Sequence, residues 1–295
     1  AETKLRRQEQ GGCHTGWMWM LRSKEAIVYR YDDSRSGRVA KDMIGDTTGT
    51  LQIDGYSGYN GVCHDDKNDE ATDLLHTKDK KRLRVGCWAH ARRMFFKAGP
   101  LDIPDAKWML EKILKLYEME YLAAKHDCLG TTNHRRIRKE QSKPILDEIR
   151  EFLDKNENAY PPKSPMGKAI GYARNQWQSL IRFVDDPKLR LDNNLSENAL
   201  RIIALGRKNF LFVGSEGHGQ NLAILQSIVA TCLLHSKNPY AYLCDVLVRV
   251  NTHPITKIDD LLPQNWIPPA LESDEAESIN SGDQIASITD DLSAK

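Results

Sequence analysis

The chain changes hydrophobic period part-way along, and this constrains its fold more than any other feature. In the first hundred residues the apolar positions cluster in short aromatic and β-branched runs bounded by Gly, Ser and Asp, the pattern of strands. Residues 17–22 and 26–31 are two such runs, and the polar turn Ser23-Lys24-Glu25 between them predicts a hairpin. Thr50-Leu51-Gln52-Ile53 predicts another strand, ended by Asp54 and broken by Gly55. A further strand over 83–88 leads into a helix containing residues 89–97. From Pro104 to about Phe183 apolar residues instead recur at three- and four-residue spacing, as in Trp108, Ile113, Leu116, Tyr117, Met119 and Tyr121. Leu146, Ile149, Phe152 and Leu153 continue this spacing, followed by Ile170, Trp177, Ile181 and Phe183. Breaks near Gly130 and at Pro161-Pro162 divide the block into about three helices.

Beyond it, Asp192-Asn193-Asn194 precedes a helix to about Leu205, and residues 209–213 form an aromatic, strand-like piece. A turn rich in glycine (Gly214, Gly217, Gly219) leads to helices over 221–235 and 239–250. The polar stretch beyond Pro269 has no packing pattern and is expected to be disordered. The expectation is an α/β sheet domain in two parts, residues 1–98 and 186–250, interrupted by an all-α insertion over 99–185. A C-terminal extension over 251–269 and an acidic tail over 270–295 follow.

At 295 residues, 40% of them hydrophobic and 28% charged, the chain can bury a core and is expected to be soluble. No apolar run approaches the roughly 20 residues that cross a bilayer, and none has the form of a signal peptide, so no membrane role is expected. The net charge of +1 hides an asymmetry. From residue 270 onward seven acids face the single base Lys295, a net of −6, which leaves +7 on residues 1–269. A basic body suits a polyanionic partner. Six dispersed cysteines without a Cys-x-x-Cys pair read as free thiols in a reducing cytosol. Three have a near histidine (Cys13-His14, Cys63-His64 and Cys87-x-x-His90). Adjacent Cys-His pairs do not easily ligate one ion together, so zinc is not expected.

Four segments carry candidate chemistry. In Leu51-Gln-Ile-Asp-Gly-Tyr-Ser-Gly-Tyr-Asn60, Asp54 ends a strand at the edge where open α/β sheets place their sites. Gly55 and Gly58 would admit a ligand to the backbone, and Tyr56 and Tyr59 would offer stacking surfaces. Asp, Gly, Ser and Asn are also common turn residues. In Leu191-Asp-Asn-Asn-Leu-Ser-Glu-Asn-Ala-Leu-Arg201, Glu197 fits a capping box with Asn194 and an i,i+4 ion pair with Arg201. A first-turn carboxylate can face a cleft as well. Cys87-Trp-Ala-His-Ala-Arg-Arg93 opens a helix whose N-terminus favours phosphate, with Arg92, Arg93 and Lys97 near it; a solvated basic face over a core cysteine fits equally. Arg207-Lys-Asn-Phe-Leu-Phe212 interleaves bases and aromatics, as a DNA contact or as a surface strand.

In order and wording these segments resemble the insertion-sequence-66 family of bacterial transposases. Asp192-Asn-Asn-x-x-Glu197, Gly206-Arg-Lys-Asn-Phe-Leu-Phe212, Pro239-x-x-Tyr-Leu243, His253-Pro, Leu261-Leu-Pro263 and Trp266 add to the likeness, which covers residues 1 to about 268. The resemblance implies a ribonuclease-H-like mixed sheet with helices, and a helical insertion before the last catalytic helix. It implies the DDE mechanism, in which three carboxylates hold two divalent ions, magnesium or manganese, for DNA cleavage and strand transfer. By position Asp54 is the second carboxylate and Glu197 the third, both metal ligands, and His90 lies near the cleavage point. Arg92, Arg93, Arg201, Arg207, Lys208, Tyr56 and Tyr59 are the expected DNA contacts. The partners implied are transposon ends and target DNA, bound by a homo-oligomer in the bacterial cytoplasm.

The sequence departs from the family at two points. The family opens its first strand with Asp-Glu-Thr, whereas this chain has Ala1-Glu2-Thr3, so Ala1 stands where the first metal ligand belongs. Asn198 follows Glu197 where the family usually has Arg. Glu2 is expected to face away from Ala1's side of the strand. Asp32 and Asp33 are expected roughly 14 Å from Asp54, at about 4.8 Å per strand, too far to share ions about 3.5–4 Å apart. The family's amino-terminal DNA-recognition and zinc-binding segments are also absent, as expected of a truncated copy, a decayed element or an excised piece. The expectation is a transposase with severely reduced activity. The alternatives are a non-catalytic remnant that binds DNA or a full-length transposase, and a zinc-structured binding module.

Overall fold

A computed structural model of the chain describes residues 2–9, 12–64, 82–99, 104–210 and 212–268. Ala1, Leu211 and the tail from residue 270 lie outside the described residues, and so do the expectations placed on them. The chain divides into two compact units, Ala1–Arg22 with Val28–Ile224 and Ser23–Ile27 with Leu225–Lys295.

The first unit begins with strands β1 (Glu2–Glu9), β2 (Gly12–Arg22) and β3 (Ile27–Asp32), in the order β1-β2-β3. β1 and β2 are antiparallel, with Glu2 opposite Trp19 and Leu5 opposite Gly16. Helix α1 (Gly37–Ile44) follows, where the strand-like texture of the first hundred residues predicted none. β4 (Thr50–Gln52), β5 (Cys63–His64) and β6 (Arg82–Val85) form a second sheet, ordered β4-β6-β5 and parallel throughout. The chain is thus mixed α/β, but the single sheet expected is two three-stranded sheets among the described residues. β4 has only three residues and its ladder runs along β6. What joins the sheets is a shared core: Trp19 of β2 packs with Val39, Ala40 and Ile44 of α1, with Leu51 and Ile53, and with Tyr59 and Val62.

Helix α2 (Trp88–Phe96) turns its Trp88, Ala91 and Phe95 into a helical core. That core is completed by α3 (Pro104–Lys125), α5 (Lys143–Lys155), α6 (Pro165–Asn175) and α7 (Trp177–Ile181). Helix α4 (Thr132–Ile137) runs into α5 through a π-turn, Arg138–Ser142. Arg138 opens this turn, and its buried guanidinium has all five N–H donors bonded. It forks onto Glu120 at 2.8 and 2.6 Å and donates to the carbonyls of Phe183, Asp186 and Leu189 at 2.6 to 3.0 Å. One side chain therefore ties α3 to the segment that returns the chain from the helical block.

Helix α8 (Asn194–Phe210) packs on β1 and β2. The Tyr29 hydroxyl donates to the Ala199 carbonyl at 2.8 Å. The strand expected over 209–213 is corrected, because α8 continues through Phe210 and, among the described residues of that segment, only Val213 makes a strand-like bridge, to Arg7.

Helix α9 (Glu216–Leu234) carries the chain onward. In the second unit Cys232, Tyr242 of α10 (Pro239–Arg249) and Trp266 form a small core, with the two rings edge to face at 5.4 Å. Lys237 donates to the carbonyls of Pro263, Gln264 and Trp266, anchoring the final segment. No helix among the described residues is long and apolar enough to cross a membrane.

Candidate active site

Asp54 leaves the parallel sheet just past β4, after Ile53 has donated its amide to the Val85 carbonyl. Its Oδ1 accepts the Tyr56 amide at 3.0 Å, so the turn reading of this segment holds. Its Oδ2 faces His90 Nε2 at 3.9 Å, within charge–charge range but beyond a hydrogen bond. His90 and Cys87 are brought together by the first turn of α2, with His90 Nδ1 3.3 Å from the Cys87 sulfur. The buried thiol donates to Asn193 Oδ1 at 2.9 Å, and the Asn193 side-chain amide donates to Glu197 Oε1 at 3.4 Å. Asp54, His90, Cys87, Asn193 and Glu197 thus form one continuous chain of contacts.

Proton placement in this chain follows from counting. Cys87 has one proton, which it donates in the hydrogen bond to Asn193, so in the contact with His90 the sulfur accepts from Nδ1. Burial pushes the Cys87 thiol up to about 11, more than the hydrogen bonds from Asn193 and His90 lower it. At neutral pH it is therefore a thiol rather than a nucleophilic thiolate.

Glu197 has neither of the structural roles expected of it. It follows the N-cap Asn193 by four residues rather than three, so the Asn194 capping box does not form. No ion pair between Glu197 and Arg201 forms among the described residues. Half-buried, with the Asn193 amide on one oxygen, Glu197 lines an open cleft of about 390 Å³ together with Thr3, Arg93 and Arg201. Asp192 beside it is fully occupied. It accepts the Asn194 amide at 3.0 Å, the Asn194 side chain at 2.9 Å and the Tyr117 hydroxyl at 2.8 Å. Burial first, and then the Asp192 charge, push the Tyr117 phenol far up, so it stays a donor.

The glycines of the Asp54 loop are filled from within rather than left open to a ligand. A Cβ on Gly55 would stand 2.6 Å from the Tyr172 ring, and one on Gly58 would stand 2.3 Å from the Tyr56 ring. Tyr59 is corrected as a stacking surface. It is 4% exposed, packs edge to face on Trp19 and gives its hydroxyl to Glu2 Oε2 at 2.7 Å. Tyr56 is half-buried and has the Arg35 guanidinium 4.0 Å over its ring.

Among the expected DNA contacts, Arg92, Arg93, Arg201 and Lys208 are exposed. Arg92 lies over Phe96 at 5.9 Å. Arg207 is exposed too, but donates to Thr3 Oγ1 and the Lys4 carbonyl, holding the end of α8 on β1. Glu2 turns to Arg35 and Tyr59 while Thr3 takes Arg207, so the two residues face different neighbours, as strand alternation requires. Asp33 pairs with Arg7 at 2.7 Å, and Asp32 lies 3.8 Å from both Arg30 and Arg38. Among the described residues no group of three or more His, Cys, Asp or Glu side chains is arranged to hold a metal ion. Sequence reasoning passed over Asn193, Tyr117 and Arg35. Only the doubled asparagine after Asp192 hinted at the first, and nothing in the spacing tied Tyr117 or Arg35 to the site.

A family model described as Transposase IS66 family matches residues 1–221, and a second, IS66 C-terminal element, matches residues 227–264. Three proteins of Sinorhizobium fredii (strain NBRC 101917 / NGR234), each described as an uncharacterized protein, are similar along most of the chain. y4hP is 29% identical over 285 residues, 90% of this chain and 50% of its own length. y4jD is 31% identical over 251 residues, 84% of this chain and 47% of its own. y4qI is 28% identical over 272 residues, 88% and 49%. The chain therefore spans about half the length of the curated relatives it matches. No solved structure matches it. The first match takes in Asp54, His90 and Glu197 and the second covers most of the described residues of the second unit, so the chain belongs to the IS66 family of transposases.

Proposed function

We propose that this chain is the DNA-handling core of an insertion-sequence transposase, organised for phosphodiester cleavage and strand transfer but carrying an incomplete acidic site. The observation that carries this reading is the run of contacts linking Asp54 to Glu197 through His90, Cys87 and Asn193. It draws residues from three distant stretches of sequence into one locus, with Arg93 and Arg201 lining the Glu197 cleft. The order of three hairpin-type strands, a helix, three short parallel strands and a late carboxylate-bearing helix supports a ribonuclease-H-like core. Residues 99–185 are then an inserted helical subdomain between α2 and α8.

In this family's chemistry two divalent ions, magnesium or manganese, held by three carboxylates activate the attacking oxygen and stabilise the leaving one. The described residues fit that set only in part. Asp54 and Glu197 each keep an oxygen free of hydrogen bonds, but Asp192, Glu2, Asp32 and Asp33 are all engaged elsewhere. Ala1 occupies the sequence position of the missing ligand. The remaining residues support DNA binding: Arg92, Arg93, Arg201 and Lys208 are free to meet phosphates, and two protomers would pair two transposon ends.

The test is magnesium-dependent nicking of DNA carrying the element's ends. The wild-type chain is expected to nick weakly. Ala1→Asp is expected to raise the rate by more than about tenfold, about 1.4 kcal/mol of barrier. Robust nicking by the wild-type chain would refute the incomplete site. The missing first carboxylate also favours a second reading, a non-catalytic remnant that binds DNA or a full-length transposase. Undetectable turnover by both proteins, with salt-sensitive DNA binding retained, would select it.

A further inference from the structure

Arg35, in the loop between β3 and α1, is the most tightly built exposed cation beside Asp54. Its Nε and Nη2 donate to Glu2 Oε1 at 3.0 and 2.7 Å. Its guanidinium lies 4.0 Å over the Tyr56 ring and 5.0 Å over the Trp17 ring. The backbone beneath it is pinned twice: the Tyr56 hydroxyl donates to the Arg35 carbonyl, and the Trp19 indole donates to the Ser34 carbonyl at 3.0 Å. Tyr56 also gives its amide to Asp54, so one residue positions both the carboxylate and the cation. Glu2 is itself held, its other oxygen taking the Tyr59 hydroxyl, and its side chain is only 4% exposed. The Arg35 side chain is 43% exposed, and its Nη1 makes no hydrogen bond among the described residues.

A surface arginine ordinarily loses considerable rotamer freedom when it binds a ligand. Arg35 has already lost it to Glu2, two aromatic rings and a pinned loop, while it keeps one edge open. A fixed guanidinium with open donors suits a phosphate, and arginine is the side chain whose planar fork matches phosphate oxygens. Glu2 also lies where the family's motif has its glutamate, and the contacts give that residue a role other than metal binding.

We propose that Arg35 binds a DNA backbone phosphate next to Asp54 and that Glu2 is its positioning residue. This rests on the DNA-binding reading above. Binding of a fluorescein-labelled duplex of about 30 base pairs, followed by anisotropy across a salt series, tests it. Each phosphate contact contributes about 0.9 to the slope of log affinity against log salt, so Arg35→Gln is expected to flatten the slope by about that amount and to weaken binding several-fold. Arg35→Lys keeps the charge and is expected to keep the slope while losing affinity.

Glu2→Gln separates positioning from simple charge. Removing an acid near DNA should tighten binding if Glu2 is a bystander, and should loosen it if Glu2 orients Arg35. Thermal unfolding of each variant, with midpoints close to wild type, excludes misfolding as the cause, and Arg35→Lys serves if Arg35→Gln does not fold. Wild-type slope and affinity in Arg35→Gln, or tighter binding by Glu2→Gln, would overturn the inference alone. Absence of salt-sensitive binding by the wild-type chain would overturn the DNA-binding reading with it.

Discussion

Cys87 gains its role in the site from burial rather than from reactivity. It is fully buried, its thiol is pushed up to about 11 from an ordinary value near 9.0, and it donates a hydrogen bond to Asn193. Because the folded value is raised, the neutral thiol contributes stability that is complete below pH 9 and is lost as the pH rises through about 11. A disulfide-exchange reagent at pH 8 is expected to titrate Cys13 and Cys244 quickly, since both are exposed. Cys63, Cys87, Cys128 and Cys232 should react only after denaturation; fast labelling of Cys87, located by peptide mapping, would contradict the buried relay. Asp54, His90 and Glu197 were legible in the sequence because their neighbours form recognisable strings. Asn193 was not, because its amide matters only through partners 106 residues before it and four after it.

At the scale of elements, the helical block was legible and its fastening was not. Three- and four-residue spacing exposes α3, α5 and α6 because each buries one stripe. Nothing in that spacing shows that Arg138, in the π-turn, is buried against Glu120 and three carbonyls. Arg138→Met leaves that carboxylate and those carbonyls short of donors, and is expected to cost about 3–5 kcal/mol, read as a lower urea midpoint. Pairing it with Glu120→Leu should recover part of the loss; full wild-type stability in Arg138→Met alone would show that the hub is dispensable. Helix α1 escaped notice for a related reason. Eight residues opening with Gly37 make a marginal helix on their own, and burial of Val39, Ala40 and Ile44 under Trp19 supplies the rest. The opposite error arose at 209–213, where aromatic residues suggested a strand but α8 runs on through Phe210.

Across the whole molecule, charge is distributed as two opposed blocks, with +7 on residues 1–269 and −6 beyond them. Deleting residues 270–295 is therefore expected to tighten duplex DNA binding at about 50 mM salt, with the gain fading as the Debye length shrinks to about 8 Å near 0.15 M. Anisotropy titrations at both concentrations check this, and an equal gain at high salt would point away from long-range charge. The sequence alone determined the α/β character, the helical block, the family and the identity of the acids, because each depends on local pattern or on short strings of residues. Tertiary structure decided which of those acids are free. Asp192, Glu2, Asp32 and Asp33 look as available in the sequence as Asp54 and Glu197. Each proves to be engaged, Asp33, Glu2 and Asp192 by partners distant in sequence and Asp32 by its neighbours Arg30, Ser34 and Arg38, and one of them, Glu2, holds Arg35. Hydrogen-bond geometry between distant segments has no periodic trace in a chain, so only the folded arrangement distinguishes an available carboxylate from a brace.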